Sequence, residues 1–183
     1  SFNTSTQTFT GTPVNANVGN ITVTVTASDG SATVSDSFTL TVANTNDTPT
    51  LANALSDQSV NEDAVFNFTV PSNTFDDDDT SDTLTYTATL SDGSALPSWL
   101  SFNTATQTFT GTPVNANVGN ITVTVTASDG SATVSDSFTL TVANTNDAPT
   151  LAIALSDQAA TENSAFNFTV PSNTFDDDDT SDT

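Results

Sequence analysis

The sequence predicts an all-β chain built from tandem seven-stranded β-sandwiches. Three observations carry that expectation. Apolar residues alternate with Thr or Ser at period two in run after run, and no segment sustains a 3.6-residue period. The runs are short and are separated by Asn, Asp, Gly and Pro, which punctuate structure. Residues 1–83 align with residues 101–183 without a gap and differ at nine positions. A period of 100 residues is too long for a solenoid and fits one ordinary domain per repeat.

The repeat sets the expected boundaries. "TVANTND" closes a strand-like run at Thr41–Asp47 and again at Thr141–Asp147. Residues 48–147 read as one complete repeat. Residues 1–47 read as the C-terminal part of the repeat before it, and residues 148–183 as the N-terminal part of the one after. Such a chain is expected to be a stretch of a longer polymer, or a piece whose partial repeats complement each other between neighbouring chains.

Within the complete repeat the strands follow in order. Strand A lies near Leu51–Val60. Strand B, Ala64–Val70, sets Ala64, Phe66, Phe68 and Val70 on one face. Strand C, Thr83–Leu90, points Leu84, Tyr86, Ala88 and Leu90 inward. Strands D (Trp99–Phe102) and E (Thr108–Gly111) flank a turn and offer Leu100, Phe102 and Phe109 to the core. In strand F, Ile121–Ala127, inward Ile121, Val123 and Val125 alternate with outward Thr122, Thr124 and Thr126, and Thr suits a solvated strand face. Strand G, Ala132–Ala143, carries Val134, Phe138, Leu140 and Val142. Asp136 falls on the inward register of strand G, where a bulge or an exposed edge is expected. Trp99 and Tyr86 read as core or rim residues. Seven short strands in one repeat match an immunoglobulin-like sandwich.

Charge narrows the functions. The chain has 22 Asp and Glu, no Lys, Arg or His, and a formal charge of −22. No salt bridge between side chains can form. Nucleic-acid binding is excluded, because it needs Lys and Arg to neutralise phosphate. An anionic membrane surface is excluded as a partner for the same reason. No apolar run approaches the ~18 residues of a membrane span, so membrane insertion is not expected. With no Cys there is neither a disulfide nor a thiolate metal site. Without His, Cys or Lys the usual bases and nucleophiles are missing, and an enzyme is not expected. Counter-charge must come from outside the chain, which points to metal cations.

Topology shows where such cations would sit. In the sandwich above, the B–C and F–G loops lie beside the preceding linker, and the A–B loop lies beside the following one. That brings the run Asp76–Asp79 and Asp129 to Asn44, Asn46 and Asp47. It brings Glu62 to Asn144, Asn146 and Asp147, and the repeat adds Asp176 and Asp178 there. A bare Asp run reads as a solvated loop; its convergence with linker Asn and Asp points to Ca²⁺, which takes six to eight oxygen ligands. Consecutive Asp side chains in an extended loop cannot all face one ion. Asp76 and Asp78 are expected to be the ligands, with Asp77 or Asp79 more solvated.

These residues resemble the cadherin pattern. "NTNDTP" resembles the cadherin interdomain linker, "VNED" the Glu of the A–B loop, "FDDDD" the Asp-x-Asp of the following domain and "TASDG" the Asp of the F–G loop. The stretch "LTYTATLSDGSALPSWLSFNTATQTFTGTP" is similar to dystroglycan-type cadherin-like domains of bacterial surface proteins. The resemblance covers the whole repeat. It implies tandem immunoglobulin/cadherin-like sandwiches with calcium at their junctions, in large adhesins or extracellular enzymes. One departure is visible. The E–F loop "GTPVNANVGN" carries no carboxylate, so fewer ions per junction are expected than in a cadherin.

The expected function is that of a calcium-stiffened, rod-like spacer in a long extracellular adhesin or surface filament. The alternative is a carbohydrate-binding or self-binding module in cell adhesion or fibre assembly. The expected partners are neighbouring repeats of the same chain, with identical chains in a filament or carbohydrate as further candidates.

Overall fold

A computed structural model describes residues 1–79 and 82–179. Its regular structure is almost wholly β. The strands are β1 (Phe2–Asn3), β2 (Thr8–Phe9), β3 (Gly19–Ser28), β4 (Thr33–Val42), β5 (Thr50–Leu51), β6 (Gln58–Asn61), β7 (Phe66–Thr69), β8 (Phe75–Asp76), β9 (Thr85–Leu90), β10 (Leu100–Asn103), β11 (Thr108–Gly111), β12 (Gly119–Ser128), β13 (Thr133–Ala143), β14 (Thr150–Leu151) and β15 (Phe175–Asp176). Two 3₁₀ turns, Asn15–Asn17 and Asn115–Asn117, interrupt them.

The chain divides into two compact units. One comprises Ser1–Asn53, Ser72–Tyr86 and Thr126–Ser135; the other comprises Ala54–Pro71, Thr87–Val125 and the described residues from Asp136 onward. The boundary cuts along strands β9, β12 and β13 and does not follow the repeat period.

The second unit holds the sandwich core. One sheet has the order β10-β11-β7 and the other β6-β13-β12-β9. In the first sheet Phe102, Phe109 and Phe68 lie side by side in register. Their rings are 4.5 Å apart between Phe102 and Phe109, and 6.3 Å between Phe109 and Phe68. Phe138 reaches across from β13 and meets Phe68 and Phe109 edge-on at 5.3 and 5.6 Å. Leu100, Val123, Val125, Leu140 and Val142 are buried around this cluster. Each buried Phe or Leu contributes about 1.5–3 kcal/mol, and each aromatic pair about 0.5–1.5 kcal/mol more. Close packing also fixes a glycine. A Cβ on Gly111 would collide with the backbone carbonyl of Trp99 and lie 3.1 Å from its ring.

Strand A is split. Its first residues form β5, which pairs with β8 through Thr50↔Asp76 and Leu51↔Phe75 in the first unit. Its last residues form β6, which pairs in parallel with β13 from Leu140↔Gln58 to Ala143↔Asn61. Above Leu140 the β13 edge has no β6 partner. Asp136 lies on that stretch, half-buried, and its carboxylate accepts the Leu55 N–H at 2.6 Å. The expected irregularity is therefore an edge, sealed by a side chain, and β13 itself runs unbroken from Thr133 to Ala143.

In the first unit, β3 and β4 form a long hairpin in register from Gly19↔Val42 to Ser28↔Thr33. Its outward hydroxyls pair across the strands, Thr24 with Ser37 and Thr26 with Ser35, each at 2.8 Å. The β12–β13 hairpin repeats both contacts one period later.

Candidate metal centre

In the first unit the linker meets the Asp run and the hairpin tip. Gly130 at φ 96° lets the tip turn, and Asp129 Oδ1 accepts the N–H groups of Ser131 and Ala132, both at 2.6 Å. Those bonds, led by Ala132 and joined by the Asn46 side chain, hold the Asp129 carboxyl below the ordinary carboxylate value. Asn46 Nδ2 donates to Asp129 Oδ2 at 3.0 Å and to the Asp47 carbonyl. The Asp47 N–H donates to Asp79 Oδ2 at 2.7 Å, and the Asp79 N–H donates to Asp77 Oδ1 at 2.9 Å. Asn44, Asp47 and Asp78 share a shallow cleft with Asn15. Asn15, from the first 3₁₀ turn, donates its amide to the Asp78 carbonyl.

In the second unit the same linker sequence meets Glu62. The Glu62 N–H donates to the Ala143 carbonyl, and Glu62 Oε1 accepts the Thr145 N–H, both at 2.9 Å. Asn146 Nδ2 donates to the Asp147 carbonyl at 2.7 Å, while Asn144 is exposed. The Asp147 N–H donates to Asp179 Oδ2 at 2.7 Å, repeating the Asp47–Asp79 bond. Carboxylate oxygens of Glu62, Asp63 and Asp147 lie within 4.8 Å of one another. Two oxygens on opposite sides of a Ca²⁺ at ~2.4 Å are separated by about that distance. Burial pushes the Asp147 carboxyl up, and the charges of Asp179, Glu62, Asp63 and Asp178 push in the same direction.

Among the described residues, four carboxylate oxygens are buried with no hydrogen-bond partner: Glu62 Oε2, Asp77 Oδ2, Asp79 Oδ1 and Asp179 Oδ1. Glu62, Asp79 and Asp179 are each 3% exposed or less. A buried, unpartnered carboxylate oxygen costs several kcal/mol unless a proton or a cation meets it. No side chain of this protein carries a positive charge. The donor set is carboxylate, amide and backbone oxygen, which fits a hard cation such as Ca²⁺.

The exposure of the Asp run is the reverse of the expected one. Asp76 and Asp78 are exposed, as are Asp176 and Asp178, whereas Asp77 is half-buried and Asp79 buried. The reason is the hydrogen bonding at the linkers: Asp79 and Asp179 turn in to accept the Asp47 and Asp147 N–H groups at 2.7 Å, and Asp77 and Asp177 accept the Asp79 and Asp179 N–H groups at 2.9 and 3.0 Å. Phe75 is buried against Tyr86, with ring centroids 6.1 Å apart. The carboxylates of Asp47, Asp76, Asp78 and Asp129 do not form a three-residue cluster of the Glu62–Asp63–Asp147 kind among the described residues.

Sequence reasoning also passed over Asp63 and Asn15. Asp63 sits at φ 57°, and its counterpart Asn163 at φ 61°. Asp and Asn are the residues that tolerate this left-handed turn, so their exchange between the repeats was a readable signal. Asn15 supplies the E–F loop's contribution through an amide.

The family model described as "Putative Ig domain" matches residues 1–43 and 48–143. The chain belongs to this family. No curated protein matches it. Among solved structures this Ig-domain chain is similar to extracellular cadherin domains 1–5 of protocadherin gamma B2. The TM-score is 0.54 at 22% identity, over 73% of this chain and 28% of that one. Endo-fucoidan hydrolase from glycoside hydrolase family 107 is also similar, with a TM-score of 0.43 at 23% identity over 74% of this chain. Titin domain M7 gives 0.39 at 20% identity, over 55% of this chain and 98% of that domain. The chain spans 20% of the length of the hydrolase. Family and protocadherin likeness together place it among Ig/cadherin-like β-sandwiches.

Proposed function

We propose that this Ig-like chain is a calcium-stiffened structural repeat, a rod-like spacer of a long extracellular adhesin or surface filament of the dystroglycan-type cadherin-like kind. It performs no catalysis. The observation that carries the reading is the set of orphaned, buried carboxylate oxygens at both linkers, in a chain without a single basic side chain. Asn44, Asn46, Asp47, Asp76, Asp78 and Asp129 at one linker, and Glu62, Asn144, Asn146, Asp147, Asp176 and Asp178 at the other, are the proposed ligand field. Asp63, Asp77, Asp79 and Asp179 join it on the strength of their position.

Calcium would supply the positive charge that lets these carboxylates share a small volume. Two carboxylates at ~4 Å repel by about 1 kcal/mol in water and about 4 kcal/mol at an effective dielectric of 20. With the ion bound, linker and loops are tied together; without it they splay and the linker bends. Extracellular modules bind calcium at about 10⁻⁴–10⁻³ M, so millimolar external calcium fills such sites. Small-angle scattering tests the reading. The maximum dimension is expected to fall and its distribution to broaden when chelator replaces millimolar calcium, and superimposable profiles would rule the stiffening out.

A further inference from the structure

We infer that position 63 sets the calcium threshold of the linker its turn grips. Asp there makes a tighter site than the Asn that stands at 163, so a chain that mixes the two turns has linkers that stiffen at different calcium concentrations. The inference rests on the calcium reading above and concerns how that site is graded.

The first observation is where the repeats differ. Of the nine differences between residues 1–83 and residues 101–183, six fall within residues 59–65. In that segment only Glu62 is shared, as Glu162. Residue 63 is also the one position of the nine at which a formal charge changes, from Asp63 to Asn163.

The second observation is what this segment holds. Strand β6 runs beside β13 as far as Asn61↔Ala143. The Glu62 N–H then donates to the Ala143 carbonyl and Glu62 Oε1 accepts the Thr145 N–H, which ties the turn to the linker. On its other side the Asp63 N–H donates to the Pro113 carbonyl at 2.8 Å. Between these anchors Asp63 takes φ 57°, and Asn163 takes φ 61°. Asp and Asn are nearly equal in size and both tolerate this conformation. Their exchange therefore changes the charge and keeps the path of the backbone.

The charge falls where a cation would read it. Carboxylate oxygens of Glu62, Asp63 and Asp147 lie within 4.8 Å of one another. Glu62 is 3% exposed and its Oε2 has no hydrogen-bond partner, so this cluster contains a buried oxygen that calls for a positive group. Asp63 is exposed, and its carboxylate accepts no hydrogen bond among the described residues, which leaves both oxygens free to turn to an ion. Calcium affinity in oxygen-ligand sites is tuned by the number of charged ligands and by the rigidity of the site. Three carboxylates on an anchored turn make the tight version. Two carboxylates and an amide oxygen make the weak one, which still binds.

The test is a calcium titration of the full chain followed by amide NMR, because separate amides read the two linkers. The Thr145 N–H, bonded to Glu62, reports the linker at 144–147, and the Ala132 N–H, bonded to Asp129, reports the linker at 44–47. Asp63→Asn is expected to raise the calcium midpoint at Thr145 at least about fivefold and to leave the midpoint at Ala132 unchanged. The five neutral exchanges of the segment made together (Ser59→Ala, Val60→Ala, Asn61→Thr, Ala64→Ser and Val65→Ala) are expected to leave both midpoints unchanged. Spectra in chelator check that each variant is folded. A Thr145 midpoint that Asp63→Asn does not move, or that the neutral set moves as far, overturns the inference and leaves the calcium reading standing. Amides indifferent to calcium in wild type overturn both.

Discussion

The Asp47 N–H donates to Asp79 Oδ2 at 2.7 Å, and Asp147 makes the same bond to Asp179 at the same length. In both places the second oxygen of the accepting carboxylate is buried without a partner. One half of each carboxylate fixes the linker backbone, and the other half faces the place proposed for a cation.

Substituting that carboxylate separates the two roles. Asp79→Asn keeps an oxygen for the Asp47 N–H and loses the charge. Calcium titration by calorimetry is expected to show affinity at that linker falling at least about tenfold, about 1.4 kcal/mol. Glu62→Gln is expected to do the same at the other linker. Asp36→Asn, within strand β4 and outside the proposed ligand field, is expected to leave the isotherm unchanged.

Acid would neutralise the same cluster as the proposed calcium, so their effects on stability are expected to be linked. The Asp147 carboxyl is raised above its ordinary value of 3.8, chiefly by burial. The folded chain then holds that proton more tightly than the unfolded chain does. In chelator, its ionisation removes stability as pH rises through the raised value and returns it as pH falls back through. Urea midpoints of wild type minus Asp147→Asn, followed upward from pH 4, are expected to decline. Asp92 has the opposite sign: the Ser94 hydroxyl and N–H hold its carboxyl low, so its contribution is present above 3.8 and lost below. Asp92→Asn is expected to flatten the acid limb.

Gly111→Ala is expected to lower stability by at least about 2 kcal/mol, because the added carbon meets the backbone carbonyl of Trp99, in the turn that enters β10. Thermal melts of wild type and variant read the difference directly.

Asp136→Ala strips the acceptor from the Leu55 N–H and is expected to cost about 1–3 kcal/mol in chemical denaturation. Asp36, whose carboxylate bonds only to the adjacent Ser37 N–H among the described contacts, is the matched control.

Much of this fold was legible because alternation in β7, β12 and β13 is strict and Gly and Asn mark the turns. Strand β11 was expected at Thr108–Gly111 and lies there. Strand β8 was not legible, since two residues flanked by an Asp run give no period. The exposure pattern of that run was not legible either, because Asp79 turns in to the Asp47 N–H, 32 residues away in the chain. Asn15 escaped notice because its contribution depends on a 3₁₀ turn that brings it to Asp78, and no local pattern announces such a distant contact. The parallel pairing of β6 with β13 joins the two ends of a repeat, and pairing across that distance leaves no trace in either strand's own sequence.

That parallel pairing has a mechanical meaning. Strand β6 lies near the start of the complete repeat and β13 at its end, in register over Leu140↔Gln58, Thr141↔Ser59, Val142↔Val60 and Ala143↔Asn61. Tension applied through the chain on either side pulls the two strands past each other along their own axes. All the rungs between them are then loaded at once, in shear, and cannot be peeled one at a time as in a hairpin pulled from its open end.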